Sequence, residues 1–190
     1  PSSSLAGPQV AAVMLVLCCA LKSAQFPFHV WLPETMDAPT PVSALMHAGI
    51  VNAGAYLLLR LSTLLAVSPA ALNLLMMIGA VTALVGVLCG AAQSSVKQVL
   101  AWSTVAQMGF LFFELGLGLV EAAWMHLVGH GLYKAHAFLR SGTVELTTPA
   151  RPSLGRELSA VLVAGAVCFA VGILLPFGEP SASHVILLCV

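Results

Sequence analysis

Residues 122–142 read AAWMHLVGHGLYKAHAFLRSG, about the length of one membrane crossing. Within this apolar helix pattern His126, His130 and Lys134 recur every fourth residue. At about 100° per residue, each step of four drifts by only about 40°, so the three side chains form one narrow stripe. A lysine near a bilayer centre costs roughly 2.5–3.5 kcal/mol even on the most lenient insertion scale. Three stacked titratable groups in such a helix therefore need a reason.

The rest of the composition agrees with a membrane setting. The 190-residue chain is 59% hydrophobic and 7% charged, with zero formal net charge, and its mean hydropathy is +1.01. Soluble domains carry about a quarter of their residues as charges, so the fold class expected is an all-α polytopic transmembrane bundle. No basic run points to nucleic acid. The chain opens at Pro1 and breaks off in an apolar stretch at Val190, which reads as an internal fragment of a longer protein. With no Lys or Arg ahead of the first apolar run, no cleaved signal peptide is expected. Cys18, Cys19, Cys89, Cys168 and Cys189 make no CxxC and no zinc or cluster spacing, and read as small apolar residues in helices.

At about 20 residues per crossing, one transmembrane domain is expected over 1–190, with six spans and the start of a seventh. They fall near 8–32 (interrupted), 42–65, 69–91, 98–119, 121–142 and 158–176, then from 183 onward. The connection 143–157, TVELTTPARPSLGRE, is the longest polar one. Lys97, Arg140, Arg151 and Arg156 fall on one side and Arg60 on the other. The positive-inside rule then places Lys97 and the 143–157 connection in the cytoplasm.

Proline punctuates the first two spans. In LKSAQFPFHVWLP, Lys22 precedes Pro27 by five residues, and a proline removes a helical hydrogen bond and clashes with the preceding turn. Either the helix ends near Ser23 with Lys22 reaching the interface, or it is discontinuous, like the broken helices that line ion pathways. After Pro39 and Pro41, His47 sits about two turns into the second span, ahead of Asn52. A lone helical His47 is either an interhelical hydrogen-bonding group or part of a relay. Lys97 opens the fourth span as an interfacial lysine, followed by Ser103, Thr104 and Gln107, small polar residues of the kind that join neighbouring helices.

Three readings compete for His126, His130 and Lys134. Two histidines at i, i+4 suit zinc, but a site needs three or four ligands, HExxH is absent and the stripe holds no carboxylate. A purely structural polar network is the second. The third is proton transfer, which leads because imidazole exchanges protons near neutral pH and desolvation disfavours a lysine's charged form. His136 lies roughly 200° around the helix from Lys134 and belongs to another surface.

These residues stand in four motifs: K-S-A-Q-x-P-x-x-x-W-L-P at 22–33, A-P-T-P-V-S-A-L-x-H at 38–47, V-K-x-V-L-A-x-S-T-x-x-Q-x-G at 96–109 and H-L-x-x-H-x-x-x-K-A at 126–135. In order and separation they resemble the antiporter-like membrane subunits of respiratory complex I, such as subunit L, and of Mrp-type sodium/proton antiporters. The resemblance covers nearly all of 15–145. It implies that Lys22 is the broken-helix lysine of a proton relay, with Pro27 at the break, and that His47 is its bridging partner. Lys97 would serve an access half-channel, and His126, His130 and Lys134 the central stripe. HAGIVNAGAYLLLR (47–60) and HGLYKAHAFLRSG (130–142) look more like the DabB branch of inorganic-carbon accumulation. Subunit L tends to have an aromatic pair before the lysine and no histidine at the place of His136.

The DabB resemblance implies a DabA-like, zinc-containing partner, with no cofactor or metal in this chain and no covalent catalysis by it. It also implies a bacterial inner membrane. The complex I and Mrp branches would instead imply respiratory or antiporter subunits as partners. The chain departs from the family at LPFGEPSASHV (175–185), which has no lysine where an exit-path lysine is expected. The glutamate that pairs with the broken-helix lysine would lie ahead of Pro1.

Overall fold

A computed structural model describes residues 6–142, to which every structural statement below refers. Its elements are α1 (Ala6–Lys22), a 3-10 turn (Pro33–Asp37), α2 (Thr40–Leu45), a π-helical turn (Met46–Ile50), α3 (Asn52–Arg60), α4 (Ser62–Ala66), α5 (Pro69–Ala91), α6 (Val96–Gly116) and α7 (Val120–Ser141). Thr40–Arg60, Pro69–Ala91 and Val96–Gly116 are long and apolar enough to cross a membrane, and Gly7–Lys22 is a shorter apolar helix. At 22 residues α7 matches them in length and carries the polar stripe.

The expected span at 69–91 coincides with α5, and those at 98–119 and 121–142 shift by one to three residues. The expected spans at 158–176 and from 183, the 143–157 connection, Cys168, Cys189 and the 175–185 segment lie outside the described residues. The second expected span, 42–65, runs as one crossing over Thr40–Arg60 but is irregular inside and stops short at its far end. A π-helical turn interrupts it at Met46–Ile50, and Leu61, at φ −108° and ψ 24°, separates α3 from α4.

The first expected span, 8–32, is helical only as far as Lys22. Pro27 has no N–H to continue the ladder and disfavours helix in the residue before it. Ala24 turns the chain through the left-handed region at φ 50°, and the Phe26–Pro27 peptide is cis. In lipid the backbone groups of such a break need protein partners, and two bonds fasten it. Ser23 Oγ donates to Val51 O at 2.8 Å, and Phe26 N donates to Thr82 Oγ1 at 3.0 Å. Gly54 makes room for the first, since a Cβ there would lie 2.5 Å from Ser23 Oγ.

Helices α5 and α6 form the most intimate pair, because small residues let their backbones touch. A Cβ on Gly86 would sit 2.5 Å from Ala106 N, one on Gly109 2.5 Å from Ala83 N, and one on Gly116 2.5 Å from Met76 N. At one end of the bundle Lys97 Nζ donates to Ala38 O at 3.1 Å and to Met36 O at 3.4 Å. The connections after the first and third crossings therefore share an end, as alternating spans require.

Candidate functional site

Helix α7 brings its stripe against a matching stripe on α6. Ser103, Gln107 and Glu114 follow one another at spacings of four and seven on α6, which keeps them on one face. Lys134 is 1% exposed. Its Nζ donates to Leu100 O at 3.0 Å and to Ser103 Oγ. Two turns earlier His126 bridges α6, with Nδ1 2.9 Å from Glu114 Oε2 and Nε2 2.9 Å from Gln107 Oε1. His130 lies between them, buried, edge-on to His126 with ring centroids 6.3 Å apart. Of Ser103, Thr104 and Gln107, expected to join neighbouring helices, Ser103 and Gln107 reach α7, whereas the Thr104 hydroxyl donates to Leu100 O of its own helix.

His47 reaches the same site from the other side. The π-helical turn that contains it packs on α7, and the fully buried imidazole stacks on Phe138 at 4.5 Å between centroids, 28° from parallel. A π turn inserts one extra residue and re-aims the side chains around it, which is why such turns gather at functional sites. Gly131 permits the approach of α7, since a Cβ there would stand 3.3 Å from Ala48 O. His130 is within electrostatic reach of Lys134, His126 and His47. Among the described residues no ring nitrogen of His47 or His130 has a hydrogen-bond partner.

The groups border a cavity of about 400 Å³, lined by Ser103, Gln107, His126, His130, Tyr133 and Lys134 among others. A water occupies about 30 Å³ and needs two to four polar partners, so the cavity has the size and lining for a short water chain. Among the described residues no three His, Cys, Asp or Glu side chains cluster for a metal.

The remaining sequence-derived candidates are placed differently. Lys22 is exposed at the last residue of α1, where no described contact joins it to His47. The two are linked only indirectly, because Ser23 beside Lys22 bonds to Val51, one turn after His47. Lys97 is half-buried and clamps the end of the 3-10 turn, so its ammonium meets the carbonyl end of a helical turn, where a cation is favoured. Pro27 lies at the break between Lys22 and the 3-10 turn. His136 is exposed on the far face of α7, as its angular position requires.

Sequence reasoning passed over Glu114. The α7 stripe holds no carboxylate of its own, and the one that meets it arrives from α6. The available signal was an acidic residue inside the apolar run FLFFELGLG at 110–118, which is as costly there as a lysine. His29 was also missed; it is buried, stacked on Phe26 and tilted against Trp102 at 5.4 Å.

A family model described as NADH:quinone oxidoreductase/Mrp antiporter, transmembrane, matches residues 5–185. The chain is 60% identical over 135 residues to the probable inorganic carbon transporter subunit DabB2 of Halothiobacillus neapolitanus, covering 71% of this chain and 24% of that one. It is 47% identical over 134 residues to chloroplastic NAD(P)H-quinone oxidoreductase subunit 5 of Dioscorea elephantipes, covering 70% and 18%. Among solved structures, the Mrp complex from Dietzia sp. DQ12-45-1b matches with a TM-score of 0.67 at 42% identity, over 70% of this chain and 15% of that one. The chain thus spans about a quarter or less of the length of these two curated relatives.

Proposed function

This chain belongs to the NADH:quinone oxidoreductase/Mrp antiporter transmembrane family, and from that premise we propose that it forms the proton-conducting (or sodium-conducting) centre of a membrane subunit that energises inorganic-carbon uptake. It is an integral membrane, antiporter-like segment. In the proposed assembly the partner is a DabA-like peripheral zinc protein, the membrane is the bacterial inner membrane, and this chain carries no cofactor of its own. Any covalent chemistry belongs to the partner.

The observation that carries the reading is the bracketing of His130. Lys134 is bonded to Leu100 and Ser103 on one side, and His126 to Gln107 and Glu114 on the other, around one polar cavity. A buried ammonium held by a carbonyl and a hydroxyl can release a proton to water. The ring spacing of 6.3 Å between His130 and His126 suits transfer through one bridging water. His47, stacked on Phe138 beside the lysine, is the group through which the stripe would communicate with the broken end of α1 and Lys22. Lys97 acts on the connection it clamps, at the access end.

Greater identity to the DabB2 relative than to the quinone oxidoreductase subunit favours the carbon-uptake assignment. The second reading, a proton-pumping subunit of complex I or an Mrp antiporter, is supported by that subunit and by the Mrp complex. Complementation decides between them: the full-length gene and its neighbour should restore growth of a CO2-requiring strain. Growth should be lost with Lys134→Ala or with a protonophore. Uptake that survives both treatments would exclude the relay, and a neighbouring run of respiratory subunits would favour the second reading. A third possibility, a scaffold whose polar groups only lock helices, predicts full transport in Lys134→Ala.

A further inference from the structure

Glu114 is buried to 1% exposure in the last turn of α6, at the end of the helix away from Lys97. Its Oε2 meets His126 Nδ1 at 2.9 Å. Its Oε1 has no hydrogen-bond partner among the described residues. The Phe110 ring covers the imidazole at 5.7 Å, while Gln107 holds Nε2. A carboxylate in apolar surroundings is strongly disfavoured unless it is paired or protonated. This one is paired with the His126 imidazole, and that imidazole also borders the cavity holding His130 and Lys134.

We infer that Glu114 and His126 form a proton-exchange pair that terminates the α7 stripe at the end opposite Lys97, with Gln107 orienting the ring. The inference rests on the relay reading above and supplies that relay with an end group on α6. In the resting pair a neutral imidazole donates Nδ1–H to the Glu114 carboxylate. The Gln107 amide, which faces Nε2, first turns aside, and a proton delivered by water from the His130 side forms a new N–H bond at Nε2, giving an imidazolium. The Nδ1–H bond then breaks as Oε2–H forms, leaving a neutral ring and a carboxylic acid. The acid passes its proton to water, giving hydronium. Water-mediated exchange then breaks N–H at Nε2 and forms it at Nδ1, restoring the starting state with one proton moved. The side-chain amide of Gln107 accepts from Nε2–H, and by turning over it donates to bare Nε2, so both states of the ring are accommodated.

The full-length protein in vesicles carrying an internal pH dye provides the test, with Lys134→Ala, Glu114→Asp and Glu114→Gln beside the wild type. Gln preserves the shape of Glu and still accepts a hydrogen bond from Nδ1–H, but it cannot be protonated. Asp is one carbon shorter and keeps the acid. If the carboxyl exchanges protons, flux falls in the order wild type, Asp, Gln, with Gln lowered about a hundredfold. If Glu114 only positions His126, the order of the variants reverses, Gln stays near wild type, and the pair is overturned. Wild-type flux in Lys134→Ala would sink the relay itself, an outcome read independently of Glu114. Should Glu114→Gln fail to insert, Asp alone still decides, because near-abolished flux in a properly inserted Asp variant contradicts proton exchange at this position.

Discussion

His47 lies face to face with Phe138, one turn beyond Lys134 on α7, at 4.5 Å between ring centroids. The phenyl ring is fully buried and fixes where the imidazole can point. Phe138→Ala should therefore cost about 3 kcal/mol in stability, measured by unfolding in detergent. Phe138→Leu should largely retain the fold yet lower proton flux by freeing the ring of His47. Equal flux in Phe138→Leu and wild type would mean the stacking has no bearing on transport.

The hydroxyl of Ser103 shares the Lys134 ammonium with the Leu100 carbonyl. Ser103→Ala should leave the carbonyl bond in place, remove about 1.5–3 kcal/mol of charge-assisted interaction and reduce flux several-fold. Because both residues act at one point, Ser103→Ala combined with Lys134→Ala should be no slower than Lys134→Ala alone. Additive losses in vesicle flux assays would show that Ser103 works elsewhere.

Lys97 joins the start of α6 to the carbonyls of Met36 and Ala38. Lys97→Met should release that connection, costing about 1.5–3 kcal/mol as a charge-assisted bond is lost, and should make 33–39 more susceptible to protease in detergent. Unchanged cleavage would show that the clamp is not what orders this connection, leaving its role at the access end to stand alone.

The seam of α5 and α6 leaves no room at Gly109, where a Cβ would come within 2.5 Å of Ala83 N. Gly109→Ala should lower thermal stability, by about 1–3 kcal/mol, as overpacking forces the helices apart. Gly129→Ala, on the same helix as the stripe but facing open space, should change it little. Thermal unfolding of the two variants side by side checks the contrast.

Much of the site was legible from local spacing. The i, i+4, i+8 repeat of His126, His130 and Lys134 fixes one face whatever the helix packs against, and Pro27 sets the break because its ring and missing N–H act within one turn. Glu114 was not legible, because its relation to His126 depends on how α6 crosses α7. The π-helical turn at Met46–Ile50 was not legible either. Nothing in MHAGI demands it, and it becomes meaningful only where Gly131 lets α7 approach Ala48.

By itself, the sequence determined a helical membrane bundle, the places where helices must stop, and one titratable stripe, since hydropathy, proline chemistry and helical period act locally. The tertiary structure decided which groups the stripe meets. It set Ser103 on Lys134 and Gln107 and Glu114 on His126, turned His47 onto Phe138, and left Lys22 exposed at the end of α1. The His47 pairing depends on the close approach at Gly131 and the others on how α6 crosses α7, a property of two surfaces together that no single helix encodes.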